Sequence, residues 1–544
     1  MDKTTKRNII IAASYAAVLA LGIVLGQAFY KQNRNSPTAP ILVPIGTPAN
    51  VNKVQQLIDL VSTYYVDSLN MDSVENGAIH HIISHLDPYS SYLLPKSLKD
   101  HSEALEGTFE GIGLEYFNLN DTLIVVGLIN EGPADIAGFK VGDKLLRIAG
   151  QTVSGKHIAR EEVEKLLRGR RGTTVDIEVE RPESSDPFII TVIRDQVTVS
   201  SVDVAYMLEP GVGYIKLRRF GLKTAEEFRH SLEELKKQGM QKLILDLRNN
   251  GGGYFHIAVK VAGEFFQDKR LMVYIEGAHE PRSEYFSDGD GVAADEPLVL
   301  LINENTASAS EIVAGAIQDW DRGVILGRRS YGKGIVQEQF DFVDGSSVNL
   351  SVAKYYTPIG RSIQKKYTPN WSSTMNYTSM YQGLWAMDTL YAEGKSYTTH
   401  SGRKVWSGGG VLPDILLEKD SLQSDKIYKD ISKSNYIEQF VYGRFTRQSP
   451  AYSIENFLQG YHLPEEEYGE FINFLSQRGI ELNFNEKRGL HDLIQSDIEA
   501  LVGRYYFGRE AYFKVKNRGD YFIEQSLSIL HGEEDTPEEA LLFD

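Results

Sequence analysis

Small residues surround a serine-rich turn that could expose a nucleophile. Residues 303–316 read Asn-Glu-Asn-Thr-Ala-Ser-Ala-Ser-Glu-Ile-Val-Ala-Gly-Ala, and an apolar β-type run at 297–302 precedes them. A strand that leads directly into a helix lets a serine project from a tight bend and leaves N–H groups free at the helix N-terminus. Those groups and the helix dipole favour a developing oxyanion. Serine is also a preferred N-cap, so the turn alone fits both a nucleophile and an ordinary helix cap.

A lysine between two glycines is a candidate base for such a serine. Lys333 lies 25 residues after Ser308, which excludes the Ser-x-x-Lys arrangement. A desolvated lysine can take a proton at neutral pH. The β-type segment that follows places Lys333, Ile335 and Gln337 on one face, where Gln337 could hydrogen-bond and orient the lysine. Without this context, Lys333 is interpreted as an ordinary lysine of a surface loop.

A triple glycine follows another apolar β-type run. Residues 243–253 read Leu-Ile-Leu-Asp-Leu-Arg-Asn-Asn-Gly-Gly-Gly, and bare glycines expose N–H groups that suit an oxyanion hole or a substrate cradle. A phosphate loop is the rival interpretation, but Gly-Lys-Ser/Thr and a complete dinucleotide fingerprint are absent. We interpret Asp246 and Arg248 as structural. His256 is the best candidate for a Ser-His-Asp triad, the alternative to a lysine base.

Glycines before a β-type run also indicate a peptide-binding edge. Gly111, Ile112, Gly113 and Leu114 precede such a run. Their N–H groups could hold the terminal carboxylate of a peptide that pairs with the strand edge, while a pocket takes its last side chain. A generic β-turn is the alternative for these four residues alone. The longer Gly-Pro-Ala…Ala-Gly…Gly-Asp run at 132–150 is more specific.

Composition excludes several other chemistries. The 544-residue chain has no cysteine, which excludes disulfides, thiolate zinc sites, iron–sulfur clusters and a cysteine nucleophile. Its net charge of −17 argues against a protein that binds nucleic-acid backbones. The 12 histidines are scattered without a His-Glu-x-x-His motif, and we interpret His80, His81 and His85 as structural or surface residues. We expect no metal and no cofactor.

The N-terminus predicts a location outside the cytoplasm for the rest of the chain. Lys3, Lys6 and Arg7 precede an uncharged run at 9–30, which is long enough to span a bilayer, with the basic end kept inside. An uncleaved signal-anchor and a signal peptide cut after Ala28 are the two competing interpretations.

Periodicity and composition divide the chain into six parts. Apolar spacing near 3.6 predicts helices at both ends of the body, short β-type runs separated by glycines predict a β-rich unit, and alternating strands and helices predict an α/β core. The predicted parts are a signal-anchor or signal peptide (1–30), a linker (31–50), a helical domain (51–104), a β-rich unit (105–195), an α/β core (196–418, with an insertion at 365–405) and a helical region with an acidic tail (419–544).

Together these motifs resemble the carboxyl-terminal processing, or tail-specific, proteases, which are Ser/Lys peptidases with a PDZ domain. The resemblance covers roughly residues 50–415 and rests on the joint order of the motifs. The matching segments are Leu-Asp-Pro-Tyr-Ser (86–90), the 132–150 run, Asp-Leu-Arg-Asn-Asn-Gly-Gly-Gly (246–253), Thr-Ala-Ser-Ala-Ser-Glu-Ile (306–312), Tyr-Gly-Lys-Gly-Ile-Val-Gln (331–337) and Gly-Gly-Gly-Val-Leu-Pro-Asp-Ile (408–415).

The resemblance implies a role for each matching residue. Ser308, and not Ser310, falls on the family's nucleophile, Lys333 on its general base and Gln337 on the residue that orients the base. The implied oxyanion hole consists of the N–H groups of Ala309 and Gly252. The implied fold is multidomain α/β (α+β): a crotonase-like layered α/β peptidase core, a β-rich PDZ domain before it, and helical N-terminal and C-terminal regions.

The implied function is a serine endopeptidase that is tethered to the inner membrane with its catalytic part on the periplasmic side, or secreted if the chain is cut after Ala28. Its expected partners are polypeptides with a free apolar C-terminus, which would bind at residues 111–114. A PDZ scaffold with an inactive hydrolase domain is the alternative, and a Ser/Lys amidase for small molecules or cell wall is a third. The helical segments at 51–104 and 420–530 are candidates for a homo-oligomer interface. The sequence departs from the family pattern at 254–256, Tyr-Phe-His, where more aliphatic residues are expected.

Overall fold

A computed structural model describes most of the chain after the predicted linker. The predicted membrane segment, the middle of the 365–405 insertion and the acidic tail after Gly532 lie outside the described residues. No helix in the described part is both long and apolar enough to cross a bilayer. The description covers residues 52–532 with gaps at 183, 185, 368–393, 419–421, 423–424, 446–452 and 483–487.

The predicted helical domain contains helices and one strand. Asn52 caps the first helix by accepting N–H groups of Val54 and Gln55. The second helix ends at Ser84, before the Asp-Pro pair that the sequence marks as a break. The strand was not predicted, and it pairs with residues 347–349 of the core. The elements are α1 (Lys53–Tyr64), α2 (Met71–Ser84), β1 (Ser91–Leu93) and α3 (Pro95–Glu106).

An antiparallel sheet of order β3-β4-β5-β7-β8 forms the β-rich unit, with β6 on β5 and a separate β2–β9 pair. In the strand 174–180, Val175, Ile177 and Val179 are buried and alternate with more exposed residues, as expected for a sheet covered on one face. The elements are β2 (Thr108–Gly111), β3 (Leu114–Leu119), β4 (Thr122–Leu128), α4 (Pro133–Ile136), β5 (Lys144–Ile148), β6 (Gln151–Thr152), α5 (Arg160–Leu167), β7 (Thr174–Glu180), β8 (Phe188–Ile193) and β9 (Asp195–Thr198).

The core domain is built on a six-stranded sheet of order β10-β11-β12-β15-β16-β21, parallel except for its β10–β11 pair. The continuous apolar runs of its central strands are typical of strands buried on both faces. The elements are β10 (Val202–Glu209), β11 (Val212–Leu217), α6 (Thr224–Lys237), β12 (Lys242–Asp246), α7 (Phe255–Gly263), β15 (Leu298–Ile302), α8 (Ala309–Asp319), β16 (Val324–Gly327) and β21 (Ile415–Leu416).

A second, antiparallel sheet belongs to the same domain and was not predicted. Its order is β1-β18-β13-β14, with β17 also paired to β18. The described ends of the 365–405 insertion belong to this domain as well: the Lys365 N–H donates to the Gly332 carbonyl at 2.9 Å. The elements are β13 (Leu271–Glu276), β14 (Ser283–Phe286), β17 (Ile335–Asp341), β18 (Ser347–Tyr356) and the hairpin β19 (Ser396–Thr398) with β20 (Lys404–Trp406).

The C-terminal region is helical, as predicted, and its last helix completes the core. Phe522 and Ile523 pack with Ile244 and Val299 on one face of the six-stranded sheet, while the other face packs against α6, α7 and α8. These layers confirm the layered α/β core. The elements are α9 (Lys426–Lys433), α10 (Tyr436–Phe445), α11 (Ile454–Gly460), α12 (Glu465–Ser476), α13 (Arg488–Phe507), α14 (Arg509–Lys516), a 3-10 turn (Asn517–Gly519) and α15 (Tyr521–His531).

Candidate active site

Ser308 is the serine of the 303–316 turn that a substrate can reach. It sits at the N-cap of α8 with φ 56° and ψ −116°, in the positive-φ region that a non-glycine residue rarely adopts. Ser308 is partly exposed, whereas Ala307 and Ala309 are buried. Ser310 is also buried, and its Oγ donates to the Asn250 carbonyl at 2.9 Å. The strained turn therefore presents Ser308 while Ser310 holds the turn in place.

Lys333 has the surroundings that a lysine base requires. Its Nζ donates to Gln337 Oε1 at 2.6 Å, and Gln337 Nε2 donates to the Tyr89 carbonyl at 2.7 Å, so the amide has its acceptor turned to the lysine. Burial lowers the pKa of Lys333, although the carboxylates of Glu311 and Asp87 act in the opposite direction. A lower pKa increases the fraction of neutral amine, which is the form that accepts a proton.

The pairing of the strand after Lys333 contains one register shift. β17 begins at Ile335, and Val336 pairs with Ala353 while Gln337 pairs with Ser351, so the extra residue is Val352 of β18. The shift therefore does not interrupt β17 itself. That Lys333, Ile335 and Gln337 share one face stays a prediction, and Lys333 and Gln337 make their predicted contact.

One buried carboxylate joins the serine turn to the lysine turn. Glu311 accepts the N–H of Ser308 at 2.8 Å and the N–H of Lys333 at 2.9 Å. It also accepts the Gly332 N–H at 2.7 Å and the Ser330 hydroxyl at 2.5 Å. Burial raises the pKa of Glu311, although all four hydrogen bonds act to lower it. The side chain thus fixes the backbones of the two candidate catalytic residues against each other.

Tyr355 joins the same two turns through the backbone carbonyl groups of Ser308 and Lys333. The hydroxyl of Tyr355, on β18, lies 3.0 Å from the Ser308 carbonyl oxygen and 2.6 Å from that of Lys333. Burial raises the pKa of Tyr355 well above its ordinary value, so the hydroxyl stays a donor. Glu311 and Tyr355 together hold both turns by their N–H and C=O groups. These shared contacts hold the turns that carry the candidate nucleophile and the candidate base in fixed positions.

The two predicted oxyanion donors, the N–H groups of Gly252 and Ala309, lie beside Ser308, but one of them is already used in a hydrogen bond. Gly252 has φ 99°, and a Cβ atom added to it would lie 2.9 Å from both the Ser308 Cβ and the Ala309 nitrogen. The Ala309 N–H donates to no backbone carbonyl in the described part of the chain. The Gly252 N–H, however, donates to Asn250 Oδ1 at 2.9 Å. In this arrangement only Ala309 offers an unengaged donor, and the role of Gly252 stays a prediction.

The other polar residues of the glycine turn make structural contacts or face solvent. Asp246 is buried with Arg248 and Lys216, whose charges hold its pKa below the ordinary value although burial alone would raise it. His256 is exposed, and its ring contacts that of Tyr254 at 5.6 Å. Across the residues that the structure describes, no group of three metal-ligating side chains occurs.

Several residues of the site were missed from the sequence. Glu311 follows Ser308 at the Ser-x-x-Glu spacing of a capping box, a signal that could have indicated it. Tyr355 and Tyr89 reach the site through long-range strand pairing, for which the sequence has no local signal. Burial lowers the pKa of His101, on α3, and the charge of Lys333 acts in the same direction.

The predicted peptide-binding edge is an open groove. A cavity of about 500 Å³ lies between β3 and α5 and is lined by Ile112, Gly113 and Leu114. In the described part of the chain β3 pairs only with β4, so its other edge is free. The N–H groups of Ile112 and Gly113 donate to no described backbone carbonyl. Such an edge can accept an extended peptide and its terminal carboxylate.

Comparisons with known proteins agree with this fold. Family models match for peptidase family S41 at residues 211–373, for a PDZ domain at 124–181 and for a family of unknown function, DUF8443, at 427–508. The fold and the matches define a PDZ-containing serine peptidase class. Residues 211–373 belong to peptidase family S41 and residues 124–181 to a PDZ domain, and the chain is similar to carboxyl-terminal processing proteases.

Individual relatives cover only part of the chain. A "Probable CtpA-like serine protease" of Staphylococcus aureus (strain MRSA252) is 33% identical over 320 residues, which are 58% of this chain and 63% of that protein. The "Carboxy-terminal processing protease CtpB" of Bacillus subtilis (strain 168) is 31% identical over 319 residues, 58% and 66% of the two chains. The solved photosystem II D1 C-terminal processing protease is 30% identical, with a TM-score of 0.35, over 67% of this chain and 87% of that one. The chain thus spans less than two thirds of the length of these two curated relatives.

Proposed function

We propose that this chain is a serine endopeptidase that captures the free C-terminal tail of a polypeptide and cleaves it with Ser308 and Lys333. The observation that carries the proposal is the shared support of the two residues. Glu311 and Tyr355 hold both backbones, and Gln337 holds the lysine amine. A binding module without catalysis has no need for a lysine of lowered pKa in such a setting.

The proposed reaction is acyl transfer through a covalent intermediate. Neutral Lys333 takes the Ser308 hydroxyl proton as Oγ bonds to the peptide carbonyl carbon, and the carbonyl electrons move to oxygen. The N–H of Ala309 and a glycine N–H of the 251–253 turn would stabilise that oxyanion. The charged lysine then protonates the leaving amine as the C–N bond breaks. Water, deprotonated by Lys333, hydrolyses the acyl-enzyme and regenerates the serine.

Substitution of the two residues tests the proposal directly. Ser308→Ala and Lys333→Ala should each reduce the cleavage of an unfolded protein by about 1,000-fold or more. Lys354→Ala is the matched control, because Lys354 is an exposed lysine on β18. If Ser308→Ala or Lys333→Ala cleaves the protein as fast as the parent and the Lys354→Ala control do, the assignment is refuted.

A reactive probe separates a peptidase from a PDZ scaffold with an inactive hydrolase domain. A fluorophosphonate should label Ser308 in the parent and nothing in Ser308→Ala, whereas a scaffold would remain unlabelled.

We also propose that the chain acts outside the cytoplasm, which is supported by its N-terminal sequence of basic residues followed by an apolar run. Protease added to the outside of intact spheroplasts should degrade the chain. If the chain is degraded only after the spheroplasts are lysed, that location is contradicted.

A further inference from the structure

The groove beside β3 has a wall that the PDZ domain does not supply. Asn435 and Gln439, from the turn before α10 and from α10 itself, line the cavity together with PDZ residues such as Tyr116 and Asn118. Both belong to the stretch that matches a family of unknown function. The C-terminal helical region therefore borders the surface where a peptide would lie.

The two side chains keep hydrogen-bonding atoms available at that wall. Gln439 Nε2 donates to the Ser434 carbonyl at 2.8 Å, which fixes the amide, while its Oε1 accepts from no described residue. The side-chain amide of Asn435 makes no hydrogen bond with a described residue, and Asn435 is exposed with φ 51°. An extended peptide has N–H and C=O groups on the edge away from β3 that need such partners.

Apolar packing holds α10 against β3. The rings of Phe117 and Tyr442 lie 5.3 Å apart, and Leu119 lies next to Gly443, one helical turn from Gln439. These contacts lie towards the end of β3 remote from the 111–114 turn. If the terminal carboxylate binds at that turn, the residues upstream of it run along β3 towards α10.

An ion-pair cluster joins β3 to two later helices, α13 and α14. Glu115, on β3, pairs with Arg504 at 2.5 Å and with Arg509 at 2.9 Å. Arg509 also pairs with Asp203 of the core at 2.7 Å. The C-terminal helices are thus bound to the PDZ domain and to the core at once.

We infer that α10 and the turn before it form the second half of the substrate-tail receptor. In this assignment Asn435 and Gln439 hydrogen-bond the tail upstream of its last residue, and the PDZ domain holds the terminal carboxylate. The inference rests on the proposed function, since its occupant is the free C-terminus of a polypeptide. It gives α10 and this turn a role in deciding which tails bind.

Peptide binding to the full chain tests the inference. The Ser308→Ala chain prevents cleavage, and a fluorescein-labelled decapeptide with a free C-terminal alanine serves as the probe, followed by fluorescence anisotropy. Gln439→Ala and Asn435→Gly should each weaken its binding about three- to tenfold, as expected for the loss of one or two hydrogen bonds. Glycine retains the positive φ of position 435. A tetrapeptide with the same C-terminus should bind the parent and both variants equally.

Controls distinguish failure of this inference from failure of the proposed function. Gln477→Ala removes the same group from an exposed residue after α12 and should bind the decapeptide like the parent. Equal decapeptide binding by parent and groove variants, or equal weakening in Gln477→Ala, would overturn the inference alone. A parent that binds the free and C-terminally amidated decapeptides equally, or neither of them, would overturn tail capture itself.

Discussion

The lysine base depends on an environment that favours its neutral form. Burial lowers the pKa of Lys333, and the residue that contacts its amine is an amide, which orients the amine without adding a negative charge. Gln337 is itself held by the Tyr89 carbonyl, so its oxygen cannot turn away from the lysine without losing that bond. At the scale of single residues, Gln337 therefore orients the lysine amine without the negative charge that would raise the pKa of Lys333.

Gln337→Glu should move the pH profile of activity to higher pH. A carboxylate beside Lys333 stabilises the ammonium form and raises its pKa, so the neutral base appears only at higher pH. A rise of one pKa unit reduces activity about tenfold at neutral pH, and activity recovers as the solution becomes alkaline. The measurement is kcat/KM against pH. Gln339→Glu makes the same change at an exposed position of β17 and should leave the profile in place; equal profiles in all three chains would contradict this role.

At the scale of elements, the glycine turn must approach the serine turn closely. Gly252→Ala should strongly reduce activity, because its φ of 99° disfavours alanine and the new Cβ would lie 2.8 Å from the Ala307 carbonyl oxygen and 2.9 Å from the Ser308 Cβ. We expect a loss of kcat/KM of about 100-fold or more, since a displacement near 1 Å has such an effect. Gly251→Ala is the control: Gly251 is exposed, and its Cβ would meet nothing within 4 Å. Similar activity of the two variants would exclude this close approach.

Local sequence signals predicted the strands, turns and helices that carry the site. The parts of the site that depend on long-range strand pairing could not be predicted from these signals. The strand–turn–helix around Ser308 and the Lys333–Gln337 contact depend on neighbouring residues, so their types and spacing indicate them. Tyr355 is 47 residues from Ser308 along the chain, and β1 pairs with residues 347–349. Such pairings arise from sheet packing, and no motif of a few residues encodes them. The antiparallel second sheet was missed for the same reason.

Across the whole molecule, Glu115 connects three regions through charge. The PDZ strand β3 supplies the carboxylate, the C-terminal helices supply Arg504 and Arg509, and the core supplies Asp203. Burial alone would raise the pKa of Glu115, but the two guanidinium groups outweigh it, so the pKa is lowered. A carboxylate with a lowered pKa stabilises the folded arrangement above its unfolded pKa, and this stabilisation is lost as the pH falls through the folded value.

Glu115→Gln should therefore destabilise the chain at neutral pH and have little effect in acid. The uncharged amide keeps the shape of the side chain but loses both ion pairs, and we expect the melting temperature to fall by roughly 1–3 °C at pH 7. As the pH falls through the lowered pKa of Glu115 and the parent side chain takes up a proton, the two melting temperatures should converge. Glu178→Gln, at a partly exposed position of β7 in the same sheet, controls for general charge effects, because its partner Arg147 is 3.9 Å away and in the same domain. Differential scanning fluorimetry between pH 3 and 8 measures all three chains. The melting temperature of Glu115→Gln could stay equally far below that of the parent in acid, or Glu178→Gln could show the same decrease. Either result would mean that these ion pairs do not bind the three regions together.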